Sequence, residues 1–492
     1  MKILYYNHTG RVSGAERVLL QIVAQLSRDR FEPVLLCPAD GTLQDDAQAV
    51  GVLCDSVNEL QARFTWRLGH LIRYFASFIS IIRQVRKRVI ESQPELIHAN
   101  SLRAGLVIST ATLGLRKPII WYVHDVLPRH PFSAFIRLFV LLFPPARIVT
   151  VSQISRDRLL GNLLRVFPRR TEVTVIHNSV DAERFRPQPA KVIEIRKELQ
   201  LRSRDALIGI VGNLSPVKAQ LELITSFADV LKRIPDATLL IVGAAIFNRD
   251  DRYQQRLVLH ARALGIANRV RFLGHREDIP SIMSSLDLLV LNSRSEAFPL
   301  VALEALACGV PLLSTAVGGV PELITHGKNG WLIPSGDPRK LKEAIVSLIE
   351  QPSLRGRLAK NGQRHVQTNF TVAAFMAQVE TVYTEASKSG SRVRKSSASS
   401  RVAVFHDNFA QMGGAERVAE EIYNLLPGAT LHTTAAVPEI LSTGLREAQI
   451  KTSWMQYLPG LKRNFRHYFL LYPFAVESVD LSKYDLIVSS CF

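Results

Sequence analysis

Nowhere in the sequence do about 18 apolar residues follow one another without interruption, so no membrane-spanning helix is predicted. The apolar start at Met1–His8 is too short for a secretory leader and reads as a first buried strand. Cys37, Cys54, Cys308 and Cys491 form no CxxC pair, which argues against a zinc site and a disulfide framework and favours a reducing, cytoplasmic setting. A GxGxxG turn is also missing, and with it the dinucleotide-binding fingerprint. Acidic residues are in deficit, 43 against 61 basic, and the net charge of +18 favours anionic partners. No nucleic-acid-binding motif accompanies that charge, so nucleic acid is not an expected partner.

The deficit is sharpest in residues 61–90, which hold Arg63, Arg67, Arg73, Arg83, Arg86, Lys87 and Arg88 but no acidic residue. These alternate with apolar residues including Trp66, Tyr74, Phe75 and Phe78. Two readings stand level: an amphipathic segment lying on an anionic membrane surface, and an ordinary helix with one buried and one solvated face.

Short apolar runs alternate with helical periodicity along the chain, which predicts an α/β protein with mainly parallel sheets covered on both faces. Ile3–Tyr6, Pro33–Cys37, Leu96–His98, Ile119–His124 and Ile148–Val151 read as strands of one unit. Ile208–Val211, Thr238–Val242, Val270–Phe272, Leu288–Leu291 and Pro311–Ser314 read as strands of a second. The stretch 181–204 between them reads as a connection, and two such units in tandem predict a cleft at the carboxyl ends of their strands. The Ser/Lys/Arg-rich tract Glu385–Ser400 reads as a flexible linker. Beyond it the sequence repeats itself: Gly413-Gly414-Ala415-Glu416-Arg417-Val418 matches Ser13-Gly14-Ala15-Glu16-Arg17-Val18 at an offset of 400 residues. An offset of that size signals duplication of a whole domain, and the second copy is expected to be truncated.

Three motifs carry candidate chemistry. Gly14-Ala15-Glu16 sits at a strand-to-helix turn, where free amides favour an anion. The run Gly212-Asn213-Leu214-Ser215-Pro216-Val217-Lys218 brings a lysine to the start of a helix, a place where its charge can meet a diphosphate. Alone, each is also explained by turn sterics or an exposed lysine. Glu296 and Glu304 flank Pro299 and the start of the helix that Gly309 closes. Their separation, at most about 12 Å along a helix, is too wide for one metal ion and suits two hydroxyl-bearing parts of one extended ligand. The first-turn amides near Leu300 and Val301 would face an anion between them.

Together with Val175-Ile176-His177-Asn178 and Val317-Gly318-Gly319-Val320-Pro321-Glu322, these motifs resemble family 4 of the glycosyltransferases, retaining enzymes of the GT-B fold. The resemblance covers residues 1–385 and implies two Rossmann-like doubly wound domains facing a cleft. Residues 1–186 would form the acceptor-side domain, 187–366 the nucleotide-sugar domain, and 367–386 a helix crossing back. A linker at 387–400 would then lead to a partial glycosyltransferase domain at 401–492, the product of a gene fusion.

The implied activity is retaining transfer of a hexosyl group from a nucleoside-diphosphate sugar to a hydroxyl acceptor, with no metal or other cofactor. By that resemblance Lys218 meets the diphosphate, Glu296 the donor sugar and Glu304 the ribose. Gly14, Asn213 and the amides of Phe298, Leu300 and Val301 complete the donor contacts. His124 would face the donor sugar, and backbone near Arg276 the base. A lipid-linked or cell-surface polysaccharide intermediate on the inner membrane face is the expected acceptor. A phosphorylase of the same fold and a catalytically silent scaffold are the rival readings. Two positions depart from the family pattern: Asn213 stands where arginine is frequent, with Arg294 a candidate substitute, and Ala219 stands where glycine is frequent.

Overall fold

The structure, a computed structural model, describes residues 1–59, 68–161, 171–202, 204–245, 252–391 and, within 402–490, all but 411–412, 427, 447, 462–467, 469–470, 483 and 485. The chain divides into two compact units, Met1–Ser387 and Lys388–Phe492.

The first unit holds two parallel sheets. In one, β1 (Lys2–Tyr6), β2 (Glu32–Cys37), β3 (Leu53–Ser56), β4 (Leu96–Ala99), β5 (Ile119–Val123), β6 (Arg147–Thr150) and β7 (Glu172–Val175) lie in the order β3-β2-β1-β4-β5-β6-β7. The other orders β8 (Leu207–Val211), β9 (Thr238–Val242), β10 (Val270–Gly274), β11 (Leu288–Leu291), β12 (Leu312–Thr315) and β13 (Trp331–Ile333) as β10-β9-β8-β11-β12-β13. Each order reverses beside its first strand, the crevice where doubly wound sheets bind ligands. The central strands are apolar throughout because both faces are covered; every residue of β8 and β9 is buried.

Each strand predicted from an apolar run is present, with ends moved by a residue or two. Three others, β3, β7 and β13, lie at sheet edges or next to the last helices. β3 and β7 mix polar with apolar residues and are partly exposed, and the apolar β13 is only three residues long, so none shows an extended apolar run. The stretch 181–204 is not a plain connection: Pro189–Glu198 is a helix with proline in its first turn and Ile195 buried.

The last helix, Val372–Ser391, seats Phe375, Val379, Val382 and Tyr383 in an apolar cluster that also contains Ile3 and Leu303, so one core spans both lobes. Polar contacts fix it to the first lobe. Glu380 accepts from the Ser27 amide and pairs with Arg30 at 2.9 Å, and Arg147 pairs with Glu385 at 2.9 Å. Helical structure continues to Ser391, into the tract read as linker.

Residues 61–67 of the basic segment lie outside the described residues; Leu68–Ser92 is one helix. In its last turns Ile81, Val85 and Val89 are buried. Arg86 donates to the carbonyls of Ala111 and Leu113, Arg88 pairs with Asp55 and Lys87 with Glu91. This half is an ordinary docked helix, and its basic residues from 86 to 88 serve the fold. Among the described residues no helix is long and apolar enough to cross a membrane.

The second unit carries β14 (Val402–His406), β15 (Thr430–Thr433), β16 (Ile450–Thr452) and β17 (Leu486–Ser490), all parallel, in the order β16-β15-β14-β17. That is the arrangement of β3-β2-β1-β4. The helix start is copied too: Glu16 and Glu416 each accept the amide three residues back, Ser13 and Gly413, at 3.1 and 2.9 Å. The repeat read in the sequence is a repeated half-sheet.

Candidate functional site

The candidate residues come from loops at the carboxyl ends of strands in both lobes of the first unit. After β8, Gly212 (φ +142°) turns the chain. Gln220 then holds the loop, its Nε2 donating to the Asn213 carbonyl at 2.9 Å. Lys218 ends a short 3-10 turn, and Ala219 follows in the left-handed region (φ +53°) before the helix Gln220–Leu231. That conformation costs an L-residue about 1–2 kcal/mol and is free for glycine, which explains why glycine suits this position.

From this turn the Lys218 ammonium reaches Glu296 at 2.6 Å. The Ser293 hydroxyl donates to the same carboxylate oxygen. Glu296 is 9% exposed and its lysine 24%, so the pair lies at the edge of solvent, not beneath it. The loop that carries Glu296 is gripped from behind. The Gly319 amide donates to the Glu296 carbonyl at 3.1 Å, and a Cβ on Gly318 would stand 1.5 Å from that oxygen. The glycine pair is therefore required by close backbone approach.

The first lobe reaches the same loop. Asn178 donates to the Phe298 carbonyl at 2.9 Å, and the His177 ring lies 4.7 Å from the buried Phe298 ring. Glu322 accepts from the amides of Gln153 and Ile154, at the start of the helix Gln153–Leu160, and from His177 Nε2 at 2.8 Å. The helix Leu300–Ala307 follows, with Pro299 just outside its start and Gly309 (φ +72°) just past its end. First-turn amides such as those of Leu300 and Val301 have no acceptor within a helix. Glu304, on the second turn, lies 3.8 Å from Arg17 of the first lobe. Burial pushes its pKa up, against the opposing pull of Arg17 and Arg184.

In the first lobe, Gly14 opens the helix Gly14–Gln25, and a Cβ there would meet open space. His124 follows β5, stacks on Tyr122 with ring centres 4.8 Å apart, and bonds through Nε2 to Asn100 Oδ1 at 2.9 Å. Its surroundings disfavour the charged form and hold the imidazole neutral, well below its usual range. Sequence reading missed Asn7 and Asn100, which link His124 to Glu16 of the Gly14 turn. Single polar residues after strands give no signal until the strands are neighbours.

The Arg294 guanidinium, the candidate second cation, pairs with Glu222 and is largely exposed. The Arg276 side chain pairs with Asp278 and Glu198, and the expectation placed the base against nearby backbone, not against this side chain. Lys218, Glu296 and Glu304 lie on adjoining elements of one lobe, and the other brings Arg17 to Glu304.

Comparison with known proteins finds glycosyltransferases across both lobes of the first unit. Residues 12–184 match the family described as Glycosyltransferase Family 4, and residues 191–365 match Glycosyl transferases group 1. The chain is 26% identical over 394 residues to the UDP-Gal:alpha-D-GlcNAc-diphosphoundecaprenol alpha-1,3-galactosyltransferase of Escherichia coli, covering 78% of this chain and 96% of that one. It is 33% identical over 264 residues to the D-inositol 3-phosphate glycosyltransferase of Salinispora tropica; the match takes in 49% of this chain and about half, 54%, of that protein's length. The crystal structure of Anabaena Alr3699/HepE in complex with UDP-glucose superposes with a TM-score of 0.67 at 28% identity, over 78% of this chain and 99% of that one. The first unit carries both of these glycosyltransferase domains and is a glycosyltransferase of the GT-B fold.

Proposed function

We propose that the first unit transfers a hexosyl group from a uridine-diphosphate sugar to a hydroxyl acceptor, with retention at the anomeric carbon. The observation that carries this reading is the Lys218–Glu296 pair at 2.6 Å, with Glu304 against Arg17 across the lobes. Without donor, each charge satisfies the other. A diphosphate arriving at Lys218 takes up its ammonium and frees Glu296 to accept from sugar hydroxyls, while Glu304 accepts from ribose. Lys218 and the first-turn amides of Leu300 and Val301 stabilise the charge that grows on the departing diphosphate.

In the transfer, the bond from the anomeric carbon to the phosphate oxygen breaks and one to the acceptor oxygen forms. The acceptor proton passes to the departing phosphate oxygen on the same face. This assigns no step to a metal ion. Retention is supported by the family resemblance. The UDP-glucose bound to Alr3699/HepE supports the donor class, and the diphosphoundecaprenol acceptor named for the E. coli relative supports a lipid-linked acceptor. With that acceptor the enzyme would work at the inner membrane face in cell-surface glycan assembly. The apolar side chains exposed on the helix Pro131–Leu142, Phe135 and Leu138, would add to any contribution from residues 61–85.

The test is a panel of UDP-sugars offered to the full chain, read by thermal shift and by release of UDP with polyprenyl-diphosphate acceptors. Stabilisation and acceptor-dependent UDP release are expected. Products that form only with inorganic phosphate would instead identify a phosphorylase, and no donor binding at all would identify a scaffold.

A further inference from the structure

At the carboxyl ends of three adjacent strands, one polar residue follows each: Asn7 after β1, Asn100 after β4 and His124 after β5. They form a continuous chain. Asn7 Nδ2 donates to Glu16 Oε1 at 3.1 Å and to the Thr9 carbonyl at 2.7 Å. Asn100 Nδ2 donates to Asn7 Oδ1 at 3.1 Å and to the Ala15 carbonyl at 3.4 Å. Asn100 Oδ1 meets His124 Nε2 at 2.9 Å.

Which end of an asparagine amide is oxygen must be settled from its partners, and here the partners leave one answer. The carboxylate of Glu16, already accepting from the Ser13 amide, can only accept. The carbonyls of Thr9 and Ala15 can likewise only accept. Asn7 therefore turns its NH2 toward Glu16 and its oxygen toward Asn100. Asn100 then turns its NH2 toward Asn7 and its oxygen toward His124. An oxygen facing Nε2 requires the proton on Nε2.

We propose that the Asn100–Asn7–Glu16 relay fixes His124 as the neutral Nε2–H tautomer, so that Nδ1 offers a bare lone pair to a hydroxyl of the donor sugar. This rests on the reading that His124 faces that sugar. Among the described residues Nδ1 has no bonding partner. His124 then serves as an acceptor that selects a hydroxyl-bearing hexosyl group and fixes its orientation; it is not the acid that protonates the leaving diphosphate. Asn7, Asn100 and Glu16 are positioning residues, and they tie the histidine to the Gly14 turn at the other edge of the site.

The test is long-range proton–nitrogen correlation spectroscopy on the full chain with labelled histidine, His124 being assigned by loss of its signals in His124→Gln. A pyrrole-like Nε2 with a pyridine-like Nδ1 is expected at neutral pH. In Asn100→Leu the Nε2 proton loses its acceptor, and a substantial share of the Nδ1–H form should appear. An Nδ1–H or imidazolium His124 in the wild type would overturn the proposal, as would a tautomer ratio unmoved in folded Asn100→Leu. Neither measurement uses a substrate, so failure here is separate from failure of UDP-sugar turnover.

Discussion

Replacing Lys218 with methionine separates its two roles, in stability and in turnover. Methionine keeps most of the apolar stem and removes the ammonium. Glu296, 9% exposed, would then keep only Ser293 as a side-chain partner. Breaking a fully buried pair costs about 3–5 kcal/mol. The lysine here is 24% exposed, so water can replace part of the lost interaction, and about 1–2 kcal/mol is the appropriate scale. Losing one preorganised group that stabilises transition-state charge costs about 10²–10³ in kcat. Lys218→Met should therefore melt a few degrees lower and release UDP at least about a hundredfold more slowly. Adding Glu296→Gln removes the stranded charge, so the double variant should regain much of the stability but none of the turnover. The assay pairs thermal denaturation with steady-state UDP release on both variants and the wild type. Turnover that recovers together with stability would show Lys218 to be a structural partner only, and the electrostatic argument would fail.

Other expectations follow from single distances and angles. Ala219→Gly relieves a left-handed residue and should stabilise by about 1 kcal/mol, seen as a higher denaturation midpoint; a lower midpoint would contradict the strain argument. Gly318→Ala drives a methyl group into the Glu296 carbonyl and should reduce kcat more than about tenfold, by analogy with other misplaced catalytic groups. Gly336→Ala, at φ +79° with open space around it, is the control and should cost only backbone strain. Burial raises the pKa of Glu304, so the stability it contributes is fully present in acid and is lost as pH rises through that raised value. Glu304→Gln should remove this part of the pH dependence and stabilise the donor-free protein near neutrality, while weakening the thermal shift that UDP-sugars produce. Unchanged donor affinity in Glu304→Gln would remove Glu304 from the site.

The central strands could be read from the sequence because strands covered on both faces must be apolar along their length, as Leu207–Val211 and Thr238–Val242 are. Edge strands such as β3 and β7 carry no such obligation and left no apolar run. The donor loop was legible because its chemistry is local: a glutamate, a helix start and a closing glycine fall within one stretch of chain. The His124 relay was not, since its members come from residues 7, 16, 100 and 124 and meet only when β1, β4 and β5 become neighbours. The partners of Arg294 and Arg276 were equally illegible, since Glu222 and Glu198 lie 72 and 78 residues away along the chain.

The repeated half-sheet shows how far duplication of a fold carries duplication of a site. At the 400-residue offset Glu416 takes the place of Glu16 and makes the same capping bond, but Asp407 takes the place of Asn7. In the first unit Asn7 works as an adaptor, giving N–H to a carboxylate on one side and presenting oxygen on the other. An ionised aspartate has no N–H to give, and facing Glu416 it would set one carboxylate against another. The second unit thus keeps the backbone of the turn and its helix cap but has no N–H at this position to join it to the glutamate. In the first unit, Asn7→Leu removes both the donor to Glu16 and the acceptor of Asn100 Nδ2, and should loosen control of the His124 tautomer while leaving the Glu16 cap on Ser13 in place. If His124 remained uniformly Nε2-protonated in folded Asn7→Leu, the polarity would have to come from the Ala15 carbonyl on Asn100 alone, and Asn7 would be a spacer.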